Sequence, residues 1–155
     1  MKVLRSIDDL AVFGAAPLFD TPLLVGRPNI GDRATFLRHL EGALDRRWLS
    51  NFGQVVKEFE QRLADYLGVR HALTVCNATV GLEIAVRALG LSGEVIVPSF
   101  TFVATVHVLH WLGLQPVFVD IDPATHNLDL AAVRRAVTPK TSGIVGVHLW
   151  GRACD

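Results

Sequence analysis

The sequence predicts an α/β fold of three layers, in which a mainly parallel sheet is covered by helices on both faces. Three observations lead there. Beyond Gly68, short apolar or β-branched runs alternate with helical patterns at the spacing of βαβ units. Residues 95–119 contain no formally charged side chain, as a buried strand, helix and strand would require. Two amphipathic helices stand ahead of that alternation and supply apolar faces that need covering.

Each element has its own signals. Residues 1–31 carry Pro17, Pro22, Pro28, Gly14, Gly26 and Gly31 without periodicity and read as an irregular amino-terminal arm. Asp32 is a candidate N-cap, after which Phe36, Leu37, Leu40 and Leu44 recur at helical spacing to an end near Arg47. Trp48 to Gly53 is a loop. Val55, Val56, Phe59, Leu63, Tyr66 and Leu67 then mark a second helix closed by Gly68. A strand is predicted over Ala72–Cys76, a helix over Thr79–Leu89, and a strand over Glu94–Val97 stopped by Pro98. Helix Phe102–Trp111, strand Gln115–Val119, a turn from Asp120 to Asn127, helix Leu128–Val137 and strand Ser142–Val147 complete the series. The division expected is an arm over 1–31 and one α/β domain portion over 32–155. No helix follows to cover the fourth strand, so the chain reads as truncated.

Composition narrows the class of function. Half the residues are apolar, which suits one globular domain and excludes disorder and collagen-like repeats. Fifteen basic residues balance fifteen acidic ones, so there is no overall charge to attract nucleic acid or an anionic membrane. Any anion site must be local. The two cysteines, Cys76 and Cys154, show no disulfide or metal-ligand spacing and are expected to be ordinary buried thiols in a reducing, cytoplasmic setting. Residues 95–119 would be long enough to cross a bilayer, but Pro98, Ser99, His107, His110 and Pro116 make them costly there. Leu10–Phe19 follows two aspartates and is broken by Gly14 and Pro17, which excludes a signal peptide.

In open parallel sheets, ligands bind beyond the carboxyl ends of the strands. Asn77-Ala78-Thr79 opens a helix there, and its free N–H groups and dipole would suit a phosphate. An ordinary helix cap, with Thr79 a first-turn residue, is the commoner reading of the same residues. Phe102 heads the next helix, where it could stack on a planar ligand or join the core. Asp120 and Asp122 suit a turn with Asx hydrogen bonds more readily than a catalytic role, His148 a structural hydrogen bond more readily than a site role, and Arg46 and Arg47 a solvated helix end. Neither a metal-ligand cluster nor a Gly-x-Gly-x-x-Gly, Walker or nucleophile-elbow motif is present in the sequence.

Five strings taken in order carry a resemblance. They are Asn51-Phe-Gly-Gln-Val-Val-Lys-Glu-Phe-Glu, Cys76-Asn-Ala-Thr-Val-Gly-Leu-Glu-Ile-Ala, Val95-Ile-Val-Pro-Ser-Phe-Thr-Phe-Val-Ala-Thr, Pro116-Val-Phe-Val-Asp-Ile-Asp and Val147-His-Leu-Trp-Gly. Together they resemble the DegT/DnrJ/StrS family, whose members are fold type I aminotransferases that use pyridoxal 5'-phosphate and act on nucleotide-linked keto sugars. The resemblance implies that the fold is the amino-terminal part of the family's large domain. It also implies that Asn77, Ala78 and Thr79 form the cofactor's phosphate loop and that Phe102 stacks on its ring. Ala78 stands where the family more often has glycine.

The resemblance further implies an amino-acid donor, glutamate, and a homodimeric intact enzyme. The family's Asp for the pyridine nitrogen and its Schiff-base Lys fall later than Asp155. Lys2 is terminal, Lys57 is on the second helix, and Lys140 precedes the fourth strand at the wrong edge of the sheet. The chain alone is therefore expected to be inactive. A dehydratase relative in which that Lys is replaced, a non-catalytic phosphate- or nucleotide-binding remnant, and a flavodoxin-like domain remain alternatives. The last leaves the arm and the first two helices without an explanation.

Overall fold

The computed structural model describes residues 5–154; Lys2 and Asp155 lie outside the described residues. The chain divides within its second helix into two compact units, Met1–Arg62 and Leu63–Asp155.

In the first unit, two 3-10 turns, Ile7–Asp9 and Ala11–Phe13, interrupt an otherwise irregular arm. Helix α1 (Arg33–Asp45) starts at the Asp32 cap, whose Oδ1 accepts the N–H groups of Ala34 and Thr35 at 2.9 and 3.4 Å. Arg47 has a φ of 51°, a left-handed conformation that ends the helix. Helix α2 (Gln54–Leu67) follows, and its sharp stop is Gly68 at a φ of 65°. Phe36 and Leu40 of α1 face Val55 and Phe59 of α2 across an apolar cleft.

The second unit holds helices α3 (Ala78–Ala88), α4 (Ala104–Trp111) and α5 (Leu130–Ala136) and strands β1 (Glu94–Pro98), β2 (Gln115–Val119) and β3 (Thr141–Ile144). The sheet is parallel, in the order β2-β1-β3. Strand β1 lies at its centre and is buried on both faces, so alternate residues feed different cores. Val95 and Val97 pack with Val86 of α3 and with Val108 and Leu109 of α4. Ile96 turns the other way, onto Val119 and Val133 of α5. Three layers result, as the alternating runs predict.

Short connections orient the helices. Five residues separate α3 from the start of β1, and five separate the end of β1 from α4. The last turn of α3 therefore lies by the amino end of β1, and the first turn of α4 by its carboxyl end. Both helices pack along one face of β1, and an 11-residue helix is about as long as a five-residue strand. Their first turns consequently both open toward the carboxyl edge.

Four expectations are corrected. Residues 72–76 are not a strand: they pair with no described strand, and Leu73 and Val75 stand exposed. An apolar β-branched run becomes a strand only by joining a ladder, and these residues join none among the described strands. Strand β3 stops at Ile144 rather than Val147, although Val145 N–H still donates to the Ile96 carbonyl at 2.8 Å. Helices α4 and α5 each start two residues late. In α5 the cause is Asp129, whose carboxylate caps the Ala131 N–H at 2.8 Å while Leu128 bridges Ile121. Neither cysteine is buried: Cys76 is exposed, at the end of that segment, and Cys154 is half-buried. Among the described residues no helix is long and apolar enough to cross a membrane.

Candidate functional site

The carboxyl edge of the second unit carries most of the polar residues singled out in the sequence. Asn77 caps α3 from an extended backbone, and its Oδ1 accepts the Val80 N–H at 3.0 Å. The cap uses one of the helix's four orphan donors, and Gly81 N–H donates to the Asn77 carbonyl. Among the described residues, the N–H groups of Ala78 and Thr79 and the Thr79 hydroxyl have no hydrogen-bond partner. No acidic residue lies in the first turn. Two free N–H donors, a hydroxyl and the positive end of an 11-residue dipole can therefore receive an anion. Asn77 and Ala78 are exposed and Thr79 is half-buried. No paired strand delivers them, contrary to expectation; the turn into α3 does so alone.

Phe102 lies two residues ahead of α4 and is 75% exposed. Its carbonyl accepts the Thr105 N–H at 3.1 Å, which fixes its backbone against the first turn of the helix. The ring thus stands out from the carboxyl edge and takes no part in the core.

The aspartates differ. Asp122 is a turn residue: its Oδ1 accepts Ala124 N–H at 2.8 Å and Thr125 N–H at 2.9 Å. Those two donors, helped by the charge of Arg152, hold its carboxyl below the usual carboxylate range. Among the described residues the Asp120 carboxylate accepts one N–H, that of its neighbour Ile121, to Oδ1 at 2.8 Å. His148 takes the structural role, its Nδ1 accepting Cys154 N–H at 2.9 Å. Arg152 donates to the Ala124 carbonyl and Asn127 to that of Ala153, which ties residues 152–154 to the turn after β2. Trp150, in the left-handed region at a φ of 54°, is exposed within this loop.

His126 is a residue that sequence reasoning passes over. It adopts a φ of 61° and sets its ring edge-on to Phe100 with centroids 5.9 Å apart. The available signal was the Asp-Pro-Ala-Thr-His-Asn turn, which needs a left-handed residue yet has no glycine. Lys57 holds its ammonium 5.5 Å from the centre of the Trp48 ring, in the first unit. Lys140 sits at the amino end of β3, where its carbonyl accepts Glu94 N–H. Among the described residues no group of three His, Cys, Asp or Glu side chains could hold a metal.

Known proteins resemble this chain in sequence and in fold. The family model described as the DegT/DnrJ/EryC1/StrS aminotransferase family matches residues 31–155. The dTDP-4-amino-4,6-dideoxy-D-glucose transaminase of Escherichia coli is 40% identical over 136 residues, which cover 88% of this chain and 37% of that one. A crystal structure of DesI in the presence of its TDP-sugar product is 60% identical, with a TM-score of 0.82 over 96% of this chain and 38% of that chain. The Escherichia coli GDP-4-keto-6-deoxy-D-mannose-3-dehydratase with bound hydrated PLP is 28% identical, with a TM-score of 0.73 over 80% of this chain and 33% of that one. The chain thus spans about a third of the length of the proteins it matches.

Proposed function

Because this chain belongs to the DegT/DnrJ/EryC1/StrS aminotransferase family, we propose that it serves a pyridoxal-phosphate-dependent transfer of an amino group from glutamate to a nucleotide-linked keto sugar. The observation that carries this reading is the uncompensated first turn of α3. Ala78 and Thr79 N–H and the Thr79 hydroxyl would hold the cofactor phosphate, and Asn77 would keep that turn wound. Phe102 would cover one face of the ring. The residues present fit such a group, since a dianion meets donors and no carboxylate there. When bound, pyridoxal phosphate supplies the electron sink for the chemistry.

The role of these residues is binding and orientation. Among the described residues of the second unit the one lysine is Lys140, which sits at the amino end of β3 and so away from this edge. These 155 residues alone are therefore expected to transfer no amino group. Residues 1–31 are read as an arm on the transferase domain portion formed by 32–155. The reading extends to a homodimer and to the cytoplasm; the free thiols of Cys76 and Cys154 suit that compartment. The likeness to the dehydratase favours one second reading, removal of a hydroxyl in place of amination, with the same cofactor residues.

The test is a titration of the chain with pyridoxal phosphate, followed by the amide resonances of Ala78, Thr79 and Phe102. All three are expected to shift. The variant Asn77→Asp, which keeps the cap but adds a negative charge, should weaken binding by about tenfold or more. Unmoved resonances at Ala78 and Thr79 would overturn the reading.

A further inference from the structure

We propose that the hollow at the carboxyl ends of β1 and β2, lined by Ser99, Phe100, Asp120, Ile121, Pro123 and His126, binds the hydroxyl groups of a sugar ring. The inference rests on the reading that the substrate is a nucleotide-linked sugar, and it assigns the sugar's place.

The sheet register builds the hollow. Pro98 pairs with Val119, and Ser99 N–H extends the ladder by donating to the Val119 carbonyl at 2.8 Å. Ser99 and Asp120 are therefore the next pair across strands spaced about 4.8 Å apart. The backbone of Asp120 is fixed on both sides, since its carbonyl accepts Asp129 N–H at 3.1 Å and Ile121 bridges Leu128. Its Oδ2, like the Ser99 hydroxyl, has no hydrogen-bond partner among the described residues. The far wall is His126, held in a left-handed conformation by its N–H bond to the Asp122 carbonyl at 2.7 Å. Such a conformation costs a non-glycine residue about 1–3 kcal/mol, so the turn must impose it. Its ring and that of Phe100 meet at 85°, and Phe100 remains 46% exposed.

The chemistry selects the ligand. A carboxylate accepts and does not donate, so it needs donors such as hydroxyls. The Ser99 hydroxyl and the His126 imidazole can each donate and accept, which matches a hydroxyl's own duality. The exposed Phe100 ring offers an apolar face to ring C–H groups. A phosphate or diphosphate would be repelled by Asp120, and no cation lines the hollow to offset it. The nucleotide's phosphates therefore belong elsewhere, and the sugar belongs here.

The experiment titrates the 155-residue chain with dTDP-glucose and, separately, with dTDP, and follows the amides of Ser99, Ile121 and His126. The sugar nucleotide should shift all three, and dTDP none. Asp120→Asn keeps an acceptor for the Ile121 N–H, so the turn survives, yet it should weaken dTDP-glucose binding about tenfold, as loss of a charge-assisted hydrogen bond does. Ser99→Ala should weaken it severalfold. The proposal is overturned if dTDP-glucose leaves these amides unmoved, or if Asp120→Asn binds it as tightly as the parent chain. Failure of the cofactor reading shows separately, as a lack of response at Ala78 and Thr79 to pyridoxal phosphate.

Discussion

A methyl group on Gly93 would lie 2.7 Å from the carbonyl oxygen of Lys140, the same oxygen that accepts the Glu94 N–H at 2.9 Å. The start of β1 and the turn into β3 thus close on each other through a position with no room for a Cβ. Gly93 also has a φ of 68°. Gly93→Ala is expected to cost about 2–4 kcal/mol, from left-handed strain together with displacement of the β1 to β3 ladder. Urea unfolding of the variant should show the midpoint falling with little change in slope.

Ile96 is fully buried and is the residue of β1 that reaches the α5 layer. Ile96→Ala should destabilise by about 2–5 kcal/mol, the transfer loss plus the cavity left behind. Ile96→Val should cost about 0.5–1.5 kcal/mol. Equal midpoints for the two variants would show that β1 is not the centre of a packed core.

Asn77 is expected to separate stability from ligand binding. Asn77→Ala should cost about 1 kcal/mol, because it leaves the Val80 N–H without its partner. Asn77→Asp should leave thermal stability close to the parent's and reduce binding of inorganic phosphate. A stability loss shared equally by both variants would argue against a capping role.

The Asp122 turn should be sensitive to acid in one direction. The Thr125 and Ala124 N–H groups, and secondarily Arg152, depress its carboxyl below its ordinary value of 3.8. The unfolded chain therefore binds this proton more readily than the folded one, and stability rises with pH through that window. The contribution is complete above 3.8 and is lost as pH falls through the lower, folded-state value. Following the Ala124 and Thr125 amides on acidification should show them move together below that point. Asp122→Asn should keep both hydrogen bonds and abolish the shared titration.

Cys76 is exposed, whereas the Cys154 thiol is half-buried and donates to the Val147 carbonyl at 3.0 Å. Labelling with a neutral thiol reagent should therefore modify Cys76 first. Equal rates at both thiols would show that the loop carrying Cys154 opens freely.

Patterns that depend on neighbours in sequence were legible from the sequence alone. The Asp32 cap, the Gly68 stop and the helices α1, α2 and α3 follow from side-chain periodicity and local hydrogen bonds, which a chain carries wherever it is placed. The alternation around β1 and the position of Asn77 to Thr79 at a helix start were legible for the same reason, and so were the strings that resemble the family. Residues 72–76 show the limit. Their composition suits a strand, but pairing is a relation between distant segments, and only the tertiary structure decided that they join no described sheet.

The roles of the polar residues divide in the same way. Asp120 and Asp122 look alike in the sequence, both beside an Ile in a turn. The fold distinguishes them, because the turn's own N–H groups occupy Asp122 and the register with β1 sets Asp120 beside Ser99. His126 owes its conformation to the turn closure between Asp122 and Asn127, and its neighbour Phe100 to a different strand's end. A sequence carries local preference, but a site is made of groups brought together from separate segments, and burial of the apolar layers around β1 brings these together.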